Sequence, residues 1–182
     1  MNAISVSYRF TRQELSALLQ ALRLNGLPGA PLNPLPPEEA GEALRRISEK
    51  GLGLVAEGTL YVDRVIDLML RSAAQPIAAV AFTDDERVGA LWRAERLWLL
   101  GDFPQEGECA LTPLENEAAV RDALGDALCR FRRPVWAVNA FDQRRRTTLE
   151  DQDGSPDPVP ALMALILPGE EPPVGAGEDA EA

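Results

Sequence analysis

Histidine is absent from this chain, which removes the commonest side chain for proton transfer near neutral pH. Every nucleophilic arrangement built on an imidazole goes with it, so Cys109 and Cys129 lack the usual base to activate them. Two cysteines among apolar residues make no disulfide framework; they read as reduced, buried thiols of a cytoplasmic protein. Lysine is nearly missing: of 18 basic residues only Lys50 is one, a bias that reflects genome composition rather than a site. No apolar run approaches the ~18–20 residues that span a bilayer. Met1 to Phe10 also lacks the basic-then-apolar order of a signal peptide. Gly26 and Gly29 are followed by no Gly-Lys-Ser/Thr, so no phosphate loop is expected. The one tight acidic cluster, Asp84-Asp85-Glu86, lacks the spaced oxygens of a calcium loop and reads as a solvated turn. No catalytic residue, metal ligand or cofactor is therefore expected.

What is present is an ordinary globular composition, 46% hydrophobic and 26% charged over 182 residues, enough to bury a real core. The formal charge of −11 is unevenly spread. Residues 1–76 balance eight basic against eight acidic side chains, and residues 77–150 carry ten against thirteen. Residues 151–182 hold eight acids and no base, so most of the excess belongs to the C-terminal piece. The near-neutral body has no electrostatic pull on a polyanion, which argues against nucleic acid as partner.

Periodicity gives an α+β chain. Residues 1–168 are expected to form a single globular domain, a helical subregion over 1–76 followed by a sheet subregion over 77–168. Residues 169–182 are expected to be a disordered acidic tail. Ile4 to Phe10 alternates as a strand, with Ile4, Val6, Tyr8 and Phe10 on one face. Thr11 and Glu14 stand at capping-box spacing, flanked by Phe10 and Leu15 at the staple positions, and open a helix to about residue 24. Residues 25–37, with five prolines, form a loop. A second helix runs from Pro37 to Lys50-Gly51, and a small hairpin over 51–61 turns at Glu57-Gly58. A third helix turns Val62, Val65, Ile66, Met69, Leu70 and Ala73 inward. An antiparallel meander follows, with strands near 77–83, 87–93, 96–101 and 107–112. Thr112-Pro113-Leu114-Glu115 reads as the start of a long helix with an apolar stripe from Ala119 to Phe131. Two strands, 135–141 and 143–149, come next, and the apolar run from Val159 to Leu167 fits either strand or helix.

Two features could form binding surface. Trp92 and Trp98 lie in the meander beside Arg93 and Arg96, and tryptophan and arginine are enriched in interface hot spots. The plainer reading packs both indoles under the helices as core. Arg144-Arg145-Arg146 lies on a strand, where Arg145 faces away from the other two; it is either a solvated, charge-protected edge or a holder of the acidic tail.

The order of elements over residues 10–76 carries a resemblance. Phe10-Thr11 through Leu22 leads into the proline-rich loop, then a helix ending in Lys50-Gly51-Leu52, a short hairpin, and Tyr61-Val62-Asp63 opening a helix that ends near Pro76. This resembles the N-terminal half of the EspG-like chaperones of ESX (type VII) secretion, over about the first 110 residues. The resemblance implies a central antiparallel sheet flanked by helices, no enzymatic activity, and binding of helical secretion substrates in the cytoplasm. No contact residue of that family is carried over.

The expected function is thus that of a cytoplasmic, non-enzymatic protein-binding protein, a chaperone or adaptor, with homodimerisation open. Two rivals stand beside it. Three helices with a hairpin before the third suggest a winged-helix DNA-binding regulator, although the helix over 38–50 mixes Glu38, Glu39, Glu42 and Glu49 with its basic residues. An enzyme built on two carboxylates is the other, which a pocket with converging acids would favour.

Overall fold

The computed structural model describes residues 6–56, 59–95, 97–130, 135–139, 147–149 and 159–166. Ile4, the Glu57-Gly58 turn, Arg96, the Arg144-Arg145-Arg146 run and the 169–182 tail lie outside them.

Local chemistry sets the first elements. Strand β1 (Tyr8–Phe10) leads straight into helix α1 (Arg12–Ala21). The capping box forms as its spacing predicts: the Thr11 amide donates to Glu14 Oε2 at 2.8 Å, and the Glu14 amide donates to Thr11 Oγ1 at 3.1 Å. Phe10, Leu15 and Leu18 are fully buried below it, but Val6, expected on the same inward face, is exposed. Helix α2 (Pro37–Glu49) opens on proline with Glu38 and Glu39 in its first turn. The hairpin is β2 (Gly53–Ala56) against β3 (Thr59–Val62), and Asp63 caps helix α3 (Arg64–Ala74) through the amides of Val65 and Ile66.

The meander consists of β4 (Ala78–Thr83), β5 (Arg87–Arg93), β6 (Trp98–Pro104) and β7 (Cys109–Leu114). Here one expectation fails. Thr112-Pro113-Leu114 is strand, paired with Leu100, Leu99 and Trp98 of β6. Asn116 takes the cap instead, accepting from the Ala119 amide at 3.0 Å, and helix α4 (Glu117–Arg130) starts after it. Pro113 is tolerated because β1 begins at Tyr8, opposite Leu111, and among the described residues this stretch of β7 is paired on one side only. Strands β8 (Val135–Asn139) and β9 (Thr147–Leu149) follow, and the ambiguous last run is a helix, α5 (Val159–Ile166).

The strands form one antiparallel sheet in the order β1-β7-β6-β5-β4-β8-β9, apart from the two-stranded β2-β3 hairpin. Period-two alternation divides it into two cores. On one face Ala79, Ala90, Trp92, Leu99, Phe103, Cys109 and Leu111 pack against Leu15, Leu18, Ile47, Ile66, Met69 and Leu70 of the first three helices. On the other, Ala78, Val80, Phe82 and Leu91 meet Val120 and Leu124 of α4 and Leu162, Met163 and Ile166 of α5. The chain is α+β, with an antiparallel meander between helices, and the three N-terminal helices share their core with the sheet. The proline-rich loop is bound to the first face: Trp92 Nε1 donates to the Pro28 carbonyl at 2.8 Å, and Gly29 sits directly over Ala81.

Candidate functional site

A two-stranded hairpin can bury only one of its sides, so apolar residues on both leave a surplus. Leu52, Leu60 and Val62 spend theirs on the helical core. Leu54 and Tyr61, opposite each other in the ladder, are 60% and 61% exposed, and Val55 is exposed as well. Helix α3 repeats the pattern. Ile66, Met69, Leu70 and Ala73 are buried, whereas Val65 and Leu68, one turn apart, stand in solvent. Val65, expected inward, is therefore on the outer side. Among the described residues six large apolar side chains are exposed, and five of them fall between residues 54 and 68. The sixth is Val6. Leu54 and Tyr61 share the outer face of the hairpin, Val55 is on its other face, and contiguous apolar surface of this kind marks interaction sites. The signal was available in the sequence, since apolar residues line both sides of GLVA and TLYV and more than half the circumference of α3.

The tryptophan-arginine group is differently placed. Trp92 is buried, edge-on to Phe103 with ring centroids 6.1 Å apart, and contributes core rather than surface. Arg93 and Trp98 face each other across β5 and β6 on the opposite side of the sheet, half-buried, with the guanidinium carbon 5.3 Å from the ring centroid. Arg93 Nη1 also donates to the Ile166 carbonyl at 2.6 Å, fastening the C-terminal end of α5. Burial lowers the pKa of this guanidinium, against the opposing charge of Glu117. Arg93 and Trp98 thus hold α5 on the sheet, and only their outer edges reach solvent.

The sole lysine proves to be a tie between distant segments. Lys50 Nζ donates to Glu14 Oε2 at 2.9 Å and to Glu108 Oε1 at 3.0 Å, joining the end of α2 to the start of α1 and to the entrance of β7. Glu14 is 1% exposed, whereas Lys50 and Glu108 are each over a third exposed, so the Glu14 half of the bridge matters more. Burial pulls the lysine pKa down, but the hydrogen bonds and charges of Glu14 and Glu108 outweigh it and the net shift is upward. A raised folded-state value stabilises the fold fully below the unfolded pKa and is lost as pH rises through the folded one. Lys50→Met should destabilise by about 2 kcal/mol, the low end for stranding a buried carboxylate because water reaches the lysine side. Adding Glu14→Gln should recover part of that loss. In urea titrations the wild type should lose stability above the ordinary lysine range more steeply than Lys50→Met does; parallel profiles would refute the tie.

The basic residues of α2 are engaged as well. Arg45 lies 3.7 Å from Glu49, and Arg46 donates to Gln13 at 3.1 Å. Cys109 is buried, and burial pushes its thiol pKa up against the charge of Arg12. Cys129, expected to be buried, is exposed on the outer side of α4. Asp84 closes the acidic turn by accepting the Glu86 and Arg87 amides, each at 2.8 Å, and no group of metal-ligating residues converges among the described residues.

These elements define an α+β protein whose antiparallel sheet is covered by helices on both faces, with exposed apolar residues on the hairpin and on α3. No protein-family model matches the sequence, and comparison with curated proteins finds no relative. Among solved structures the chain is similar to the type VII secretion system chaperone EspG5 of Mycobacterium tuberculosis, solved in complex with a PE25-PPE41 dimer, at a TM-score of 0.51 and 13% identity. The match covers 71% of this chain and 53% of that one, so the chain spans about half the chaperone's length. At this identity the likeness is one of fold. No helix among the described residues is long and apolar enough to cross a membrane.

Proposed function

We propose that this chain is a non-enzymatic protein-binding protein, a chaperone or adaptor, that receives its partner on the outer side of the β2-β3 hairpin and α3. The observation that carries the reading is the exposure of Leu54 and Tyr61 on the outer side of the hairpin and of Val65 and Leu68 on α3, elements whose other apolar residues are mostly committed to the core. Tyr61 is an amphipathic aromatic of the kind enriched at interface centres, and Leu54 opposite it in the ladder adds apolar area. The fold likeness to EspG5, a chaperone solved with a bound protein dimer, supports a protein partner and the family direction in the sequence. A helical secretion substrate in the cytoplasm is the partner this reading favours. Trp98 and Arg93 form a secondary candidate surface on the other side of the sheet, and Arg144-Arg145-Arg146 remain candidates from the sequence alone. Tagged protein purified from its native host should retain a stoichiometric protein partner through size exclusion. Recovery of the chain alone, together with turnover in a small-molecule screen, would defeat the reading.

A further inference from the structure

A partner on the outer side of the hairpin leaves Val55 uncovered, because Val55 lies on the inner side and is still 44% exposed. Residues directly opposite in an antiparallel ladder share a face, so Val55 stands beside Leu60, and Leu54 beside Tyr61. Leu60 packs against the helical core, whereas Val55 stands in solvent. The core therefore underlies β3, and β2 overhangs it with apolar side chains solvated on both faces. A helix docked on one face could cover only one of Leu54 and Val55. A strand laid along β2 flanks both.

The backbone of β2 has room for such a strand. The hairpin is a sheet of its own, so β2 pairs with β3 alone, and its other edge makes no backbone hydrogen bond among the described residues. Nothing in Gly53–Ala56 guards that edge. It holds no charge and no proline, and its register runs one for one from Gly53↔Val62 to Ala56↔Thr59, without a bulge. By contrast β1, at the edge of the large sheet, is three residues long and carries exposed Arg9. A two-stranded hairpin is itself marginal, and further strands stabilise it.

We infer that β2 pairs antiparallel with β2 of a second copy of this chain about a twofold axis, forming a four-stranded sheet in the order β3-β2-β2-β3. Unpaired main-chain donors and acceptors recognise another main chain, and an edge that is apolar on both faces matches itself. Charge permits the match. Neither hairpin strand is charged, and residues 1–76 balance eight basic against eight acidic side chains. Most of the acidic excess that would drive two copies apart belongs to residues 151–182. Across the new seam opposite residues again share a face, so Leu54 and Tyr61 of both copies line one side and Val55 of both the other. The dimer does not depend on the hairpin's outer face receiving another protein, and it leaves that face open. A seam of four residues a strand is small, which sets a weak dimer in roughly the micromolar range.

Sedimentation equilibrium of the full chain, at concentrations from about 1 to about 300 µM, is the test. The wild type should pass from monomer to dimer and no further, since a twofold interface closes on itself. Val55→Lys and Val55→Glu should each weaken self-association about tenfold or more, by setting like charges across the seam. An equimolar mixture of the two should regain the dimer, because opposite charges then face each other. A variant that had merely lost its fold could not be rescued in this way. Val55 is off the outer face, so Val55→Lys should still retain the protein partner recovered from the native host, which separates the two interfaces. A wild type that stays monomeric throughout overturns the proposal, whatever partner the chain retains. So does a dimer unmoved by either substitution, or a mixture no more associated than its components, in variants with wild-type melting curves.

Discussion

Gly101→Ala should lower stability by about 2 kcal/mol, and Gly101→Val by about 3 kcal/mol or more, both through overpacking. For a chain of this size the alanine variant should melt roughly 4–8 °C below wild type. A Cβ at Gly101 would stand 2.6 Å from Trp92 Cη2 and 2.7 Å from Phe103 Cε2. Neither ring can yield: both are buried, they meet edge-on, and the indole is held by its hydrogen bond to Pro28. Replacing a strand glycine ordinarily gains about 0.5–1 kcal/mol from lost unfolded-state freedom, so the clash decides the sign. Trp92→Phe shortens the obstructing ring, so Gly101→Ala should cost less in that background than in wild type, a non-additivity expected of residues in contact. A melting temperature for Gly101→Ala at or above wild type would show that the packing of this face has been misread.

The elements readable from sequence are those whose signals are local. The capping box at Thr11 and Glu14, the proline start of α2, the aspartate before α3 and the alternation of β4 to β6 depend on residues within a few positions of each other. The false helix start at Thr112 shows the limit of such signals. Cap, proline and acid are all present there, and Asn116-Glu117 offers a second start four residues on. Pairing of β7 with β6 through Leu114 decides between them, and that pairing is a tertiary fact. The contacts that organise the molecule join distant residues: Trp92 to Pro28, Lys50 to Glu14 and Glu108, Arg93 to Ile166. Spacing carries no trace of them. Lys50 looked like a compositional accident and is a bridge among three segments. The surplus of apolar residues on the hairpin can be counted in the sequence, but which of them stay outside depends on what the core takes.

Leu54→Asp combined with Leu68→Asp should abolish partner retention while leaving the melting temperature within about 2 °C of wild type. Both side chains are about 60% exposed, so charge at these positions disrupts little in the free chain. In a complex each would be a charge buried against apolar surface without a counter-ion, a penalty of several kcal/mol for the pair. That exceeds the ~2.7 kcal/mol separating nanomolar from 100 nM binding, so loss should be complete at working concentrations. Tyr61→Ala, which removes area without adding charge, should weaken the complex by a smaller step. Asp84→Asn, on the turn at the far end of β4, should have no effect. Full retention by the double aspartate variant would remove the hairpin and α3 from the interface.

Amide hydrogen exchange on the chain, free and bound to the partner it retains, tests the central proposal most directly. The expected result is slowed exchange concentrated in residues 53–56 and 59–68, with α4, α5 and the meander unchanged. Protection centred instead on β5 and β6 around Arg93 and Trp98, with the hairpin exchanging at its free rate, would contradict the assignment of the Leu54, Tyr61 and Leu68 face as the docking surface.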